Sequence, residues 1–165
     1  RDARILPIYE GTNGIQALDF IGRKCLRDGA VGLRALLSQM KETAAKASSK
    51  SPRTTKLLAP LERAIMQCQD ALDYVLKNSE KSQAVAYNYM MLFANSVAYW
   101  LLVRLAIAAD KHIEQGSKDR FCQQKIATAG FFASQILTRN QAYLEAVKFG
   151  SAYVEDFNCE DFITD

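Results

Sequence analysis

The sequence predicts an all-α fold: an antiparallel helical bundle of about four long helices, preceded by one short helix. Three observations carry this. Apolar residues recur at spacings of three and four along most of the chain, which is the period of an amphipathic helix. Ala84 to Val103 is a run of 20 residues without a formal charge, flanked by amphipathic segments that need an apolar partner to cover. Finally, 165 residues form a chain that can bury roughly 70% of its unfolded surface, enough for a core without metals or disulfides.

In chain order, the first helix is predicted from Asn13 to Leu26, with Ile15, Leu18, Ile21 or Gly22, and Cys25 on one stripe. Thr12 and Asn13 are both good N-cap residues, and Asn13 with Gln16 has the spacing of a capping box. Asp28-Gly29 breaks this helix, and Asp28 can cap a second one from Gly29 to Ser48. Leu33, Leu36, Leu37, Met40, Ala44 and Ala47 share a face there. Ser48 to Thr55 is polar and contains Pro52, so it is expected to be the most flexible internal connection.

A third helix follows with the stripe Leu57, Leu61, Ala64, Ile65, Cys68, Leu72, Val75 and Leu76. Pro60 is tolerable there only in the first turn or at a kink. The uncharged run forms the next helix. Its length raises a transmembrane alternative, but Asn88, Asn95 and Ser96 lie within it, and a helix apolar nearly all round belongs at the centre of a bundle. Gly116 is expected to stop it, Ser117 to cap a last helix, and Gly150 to end that one. Phe121, Cys122, Ile126, Ala129, Phe132, Ala133, Ile136, Tyr143, Leu144 and Val147 are its predicted core residues, with the aromatic pairs read as packing. The tail from Ser151 to Asp165 carries five acidic and no basic residues.

Composition excludes several classes. The net charge is +3, with 12 basic and 6 acidic residues between Arg1 and Arg63, but the cations are scattered and lack interleaved aromatic platforms, so no nucleic-acid footprint is present. Cys25, Cys68, Cys122 and Cys159 form no CxxC pair and have only His112 to join them, which argues against zinc. They read as buried free thiols of a reducing cytosol, and His112 as a solvent-facing or capping residue near a helix end. No P-loop, GxSxG, HExxH or di-iron pattern is present, nor is a signal or transit pattern visible.

Chemistry concentrates in RDARILPIYEGTNGIQ, Arg1 to Gln16. Ile5, Leu6, Ile8 and Tyr9 form an apolar approach broken by Pro7, and Glu10 stands at its end beside Gly11. Desolvation raises a carboxylate's pKa and makes it a better base toward a carbon acid. Gly11 and Gly14 allow close backbone approach, and a helix N-terminus offers free amides to a polar cofactor. On these residues alone, a surface Glu in a turn before a helix is the commoner reading.

This run resembles the C-terminal signature of the acyl-CoA dehydrogenase family, and the following ALDFIGRK resembles a branch with an additional C-terminal helical domain. The likeness is specific from Arg1 to about Lys24 and is one of helical layout beyond. It implies that residues 1–28 end a catalytic domain and 29–165 form the additional bundle. It further implies Glu10 as the base that removes the α-proton of an acyl-CoA thioester, Tyr9 and Gly11 near the thioester, and Thr12 at FAD. Many members carry Gln where this chain has Gly14, so that side-chain contact does not transfer. Asp2 and Arg4 are expected to pair and position the loop. The chain opens at Arg1 inside the motif, so it is expected to be a piece of a longer enzyme and inactive alone. The implied partners are an acyl-CoA, an electron-transfer flavoprotein or similar acceptor, and a second copy in a homodimer, in the cytoplasm or peripherally at a membrane. Two other readings stand beside it: a non-catalytic helical interaction module, and a membrane-surface anchor using Ala84 to Val103.

Overall fold

The computed structural model describes residues 12–47, 51–150 and 152. Among these there is no strand. The elements are α1 (Asn13–Ile21), continued by a π turn (Gly22–Leu26), α2 (Val31–Ala47), α3 (Pro52–Thr55), α4 (Leu58–Lys77), α5 (Ser82–Glu114), α6 (Arg120–Gln135) and α7 (Asn140–Phe149), with 3-10 turns at Ser79–Lys81 and Leu137–Arg139. Four long helices, α2, α4, α5 and α6, make the predicted bundle.

The organising element is α5, whose 33 residues span about 50 Å at ~1.5 Å per residue. All six other helices touch it. Ser82, Tyr89, Ser96, Val103 and Asp110 recur every seven residues on its buried side, joined by Val85, Leu92, Tyr99 and Ala106. That seven-residue repeat lets one face of a long helix stay against its neighbours. By length and composition α5 is the one helix among the described residues that could cross a membrane; its apolar stripe is instead buried in the bundle core.

Helices α4 and α5, and α5 and α6, pack antiparallel. The Tyr99 hydroxyl donates to the Leu57 carbonyl at 2.9 Å across α4 and α5, and the Tyr99 and Phe132 rings stack at 6.1 Å across α5 and α6. In α4, Leu61, Ala64, Ile65, Cys68, Leu72 and Val75 are all buried as predicted, and Pro60 sits in the first turn, where no intrahelical N–H is needed. In α2, Leu33, Leu37, Met40, Ala44 and Ala47 are buried. The end of α5 is a Schellman motif: Gly116 has φ 93°, Ser117 N–H donates to the His112 carbonyl at 3.0 Å, and Gly116 N–H to that of Ile113 at 3.0 Å.

Four expectations need correction. The predicted last helix is two, because at Ile136 the chain turns through Leu137–Arg139. No Gly or Pro marks the break; Leu137 plugs the corner and buried Asn140 donates to the Ser96 hydroxyl at 2.8 Å. The turn swings α7 against α4, where Gln67 meets Gln141 and Asp70 meets Lys148, so these two helices run parallel. Second, the cap of α6 is Asp119, whose carboxylate accepts the Phe121 N–H at 2.9 Å, while Ser117 lies two residues further out. Third, in α1 Ile15 and Leu18 are exposed and Ala17 and Ile21 are buried, because α1 docks through Phe20 onto the aromatic side of α5. Phe121 is likewise exposed, as is Phe131, whereas Phe132 packs inward.

Fourth, the connection expected to be most flexible is tied down where it is described. The Ser51 hydroxyl accepts the Arg53 N–H at 3.2 Å with Pro52 at N1. Arg53 Nε then reaches the buried carboxylate of Asp110 at 2.5 Å, and Thr54 Oγ1 approaches the other oxygen at 3.4 Å.

Candidate functional site

Of the residues the sequence nominates, Tyr9, Glu10 and Gly11 lie outside the described residues, as do Asp2 and Arg4. Thr12 is described. It is exposed and holds φ 66° and ψ 21°, the left-handed region. For a β-branched residue this is a genuine outlier that costs roughly 1–2 kcal/mol, and such strain collects at functional sites. Its carbonyl accepts the Gln16 N–H at 2.8 Å, so Thr12 is the N-cap of α1 and Asn13 is already helical. The expected Asn13–Gln16 capping box is therefore not formed. The Thr12 side chain makes no capping bond. Among the described residues, a Cβ added at Gly14 would meet nothing within 4 Å.

The mount beneath that turn is firm. Phe20 lies 5.6 Å from Tyr89 and 5.8 Å from Phe93, ring centre to ring centre, and those two rings are 4.8 Å apart. Such pairs contribute about 0.5–1.5 kcal/mol each beyond burial. The Tyr89 hydroxyl donates to Cys25 Sγ at 3.3 Å. Burial pushes the Cys25 thiol up, so it is a packing residue rather than a nucleophile. On the outer side, Arg23 forks onto Asp19 with two contacts of 2.8 Å; the hydrogen bonds and charge of Arg23 hold that carboxyl below its usual range.

Elsewhere the buried polar groups serve the fold. Asn140, Ser96 and Cys68 meet at the centre, where Ser96 Oγ donates to the Leu92 carbonyl at 2.8 Å. Burial raises the Cys68 thiol to about 12. Cys122 is also buried and free. His112 is exposed at the end of α5. Among the described residues no three His, Cys, Asp or Glu side chains converge as metal ligands would.

One feature escaped the sequence reading. Between α2 and the end of α5 lies a cleft of about 470 Å³ lined by Thr43, Lys46, Arg104, Lys111, His112 and Gln115 over Ala47, Ile107 and Ala108. Its cations come from two helices whose pairing only the fold reveals.

The fold defines the class, an all-α helical domain whose described buried side chains are engaged in packing. Residues 36–158 match the family described as Acetyl-CoA dehydrogenase C-terminal like, and the chain belongs to that family. Over 146 residues it is 37% identical to a 3-methylmercaptopropionyl-CoA dehydrogenase of Ruegeria pomeroyi, covering 86% of this chain and 25% of that protein. It is 30% identical over 149 residues to the broad-specificity linear acyl-CoA dehydrogenase FadE5 of Mycobacterium tuberculosis, covering 83% of this chain and 24% of that one. A butyryl-CoA dehydrogenase of Syntrophomonas wolfei is 26% identical over 175 residues, 99% of this chain and 28% of its own length. The chain thus spans about a quarter of the length of these curated relatives.

Proposed function

We propose that this chain is the C-terminal part of an FAD-dependent acyl-CoA dehydrogenase, in which residues 1–28 close the catalytic domain and 29–165 form a helical domain set against it. The observation that carries the reading is the family match over residues 36–158, joined to relatives whose names are CoA dehydrogenases. In this reading Glu10 takes the α-proton of the acyl-CoA thioester. A carbon acid of this kind needs a desolvated base and excluded water, which the apolar approach from Ile5 to Tyr9 supplies. Tyr9 and Gly11 lie along the thioester. Thr12, the exposed N-cap of α1, is set in this reading at a polar part of FAD, where a helix N-terminus offers amide groups. When bound, FAD supplies the acceptor for the β-hydrogen as hydride. The aromatic mount of Phe20 on α5 keeps the turn in register while the proton moves.

Turnover requires walls that other parts of the enzyme contribute, so the chain alone is inactive in this account. Electrons leave through an electron-transfer flavoprotein or similar acceptor, the enzyme is a homodimer, and it works in the cytoplasm or peripherally at a membrane. The experiment is to purify the full-length protein, record flavin absorbance, and add acyl-CoAs of several chain lengths without oxygen. Bleaching of a bound flavin is expected; a folded full-length protein that binds no flavin contradicts the reading.

A second reading, a helical interaction module without catalysis, is favoured by exposed Phe121, Phe131, Leu101 and Leu105. The same flavin measurement separates the two.

A further inference from the structure

We propose that the cleft between α2 and the C-terminal third of α5 is a binding site for a phosphorylated small molecule, held by Arg104 and Lys111. This does not rest on the dehydrogenase reading. The cleft's volume of about 470 Å³ falls within the ~300–1,000 Å³ typical of small-molecule sites. Among the described residues, Lys46, Arg104, Lys111 and His112 line it and no carboxylate does. Glu42 is the acid nearest in sequence to Lys46 and pairs with it at 2.5 Å, both side chains exposed. Asp110, beside Lys111 in the chain, is committed to Arg53. Among the described residues, neither Arg104 nor Lys111 has a carboxylate partner.

Lysines in the last turns of α2 and α5 also complement the helix dipoles, which is the bland account of Lys46, Lys111 and His112. Arg104 decides against that account, because it stands almost three turns before the end of α5 and the dipole effect fades within one. Arg104 is moreover held in place. Its guanidinium carbon sits 5.0 Å above the Trp100 ring, Trp100 Nε1 donates to Thr43 Oγ1 at 2.8 Å, and Thr43 Oγ1 donates to the Gln39 carbonyl at 3.0 Å. A guanidinium fixed this way loses little further entropy on binding, and its fork matches the oxygens of a phosphate. Ala47, Ile107 and Ala108 supply the apolar part of the lining beside these cations.

The test is calorimetric titration of the 165-residue chain with inorganic phosphate and with adenosine 3′,5′-bisphosphate at ionic strength held constant by chloride. Saturable binding of the bisphosphate is expected, weakened roughly tenfold or more by Arg104→Gln and by Lys111→Gln and unchanged by Arg139→Gln, which lies outside the cleft. Far-UV circular dichroism melts establish that each variant is folded. Absence of saturable binding overturns the proposal, as does equal binding by the folded cleft variants. Capture by phosphatidic acid vesicles without any response to the soluble phosphates overturns it too, since the cleft would then serve a lipid surface.

Discussion

Asp110→Asn tests the physical account of the bundle most searchingly, because it removes one charge and almost no volume. The Asp110 side chain is 5% exposed while that of Arg53 is 50% exposed, with Nε to Oδ1 at 2.5 Å. Burial pushes this carboxyl up, but hydrogen bonds from Ser51, Arg53 and Thr54 and the charge of Arg53 outweigh it and hold the group below 3.8. A hydrogen bond to a charged group contributes about 1.5–3 kcal/mol. Since half of Arg53 faces water, screening argues for the lower part of that range. We expect a loss of about 2 kcal/mol near neutral pH, or about 4–8 °C in Tm for a chain of this size. The folded-state pKa is depressed, so the contribution is fully present above the unfolded value and disappears as pH falls through 3.8 toward the lower folded value. Urea melts followed by circular dichroism should therefore show a gap between wild type and Asp110→Asn at neutral pH that closes in acid. Equal midpoints at neutral pH, or a gap indifferent to acid, would refute the reasoning.

Three further predictions concern the core and its ends. Ser96→Ala strands the buried Asn140 Nδ2, and because Asn140 Oδ1 already lacks a partner, it should cost about 1–3 kcal/mol. Adding Asn140→Leu should restore part of that in a double-mutant cycle by urea melts, and strict additivity would contradict the coupling. Gly116→Ala meets no neighbour within 4 Å but must keep φ 93°, so thermal melts should show a loss of about 1 kcal/mol from the backbone alone. Cys68, its thiol raised to about 12 by burial, should resist Ellman's reagent in the folded chain and react on denaturation; rapid modification of native Cys68, mapped by mass spectrometry, would oppose this.

Where burial follows a single stripe, the sequence was legible. Leu61 to Val75 in α4 and Leu33 to Ala47 in α2 are buried as their spacing indicates, because each helix has one apolar face and one neighbour region. The centrality of α5 was legible from its uncharged run and its end from Gly116, whereas the cleft at Arg104 and the ion pair at Asp110 were not, since only tertiary contacts create them. The corner at Ile136 was hidden for a similar reason: Asn140 breaks the helix by bonding to Ser96, 44 positions earlier in the chain. Ile15 and Leu18 show the limit of periodicity, which counts apolar residues but does not choose between two sides when Phe20 offers a better partner. At the site, the cap at Thr12 was foreseen as one of two choices, while its left-handed backbone has no sequence signature, since Thr is a poor residue for it.

The central functional claim rests on Glu10, and one measurement addresses it directly. In the full-length protein, Glu10→Gln keeps the shape of the side chain and removes the base. Anaerobic addition of an acyl-CoA that bleaches the wild-type flavin should leave the variant's bound flavin oxidised, with the rate of bleaching reduced at least ~100-fold as expected on losing a general base. Bleaching at the wild-type rate in the folded, flavin-loaded variant would contradict the account.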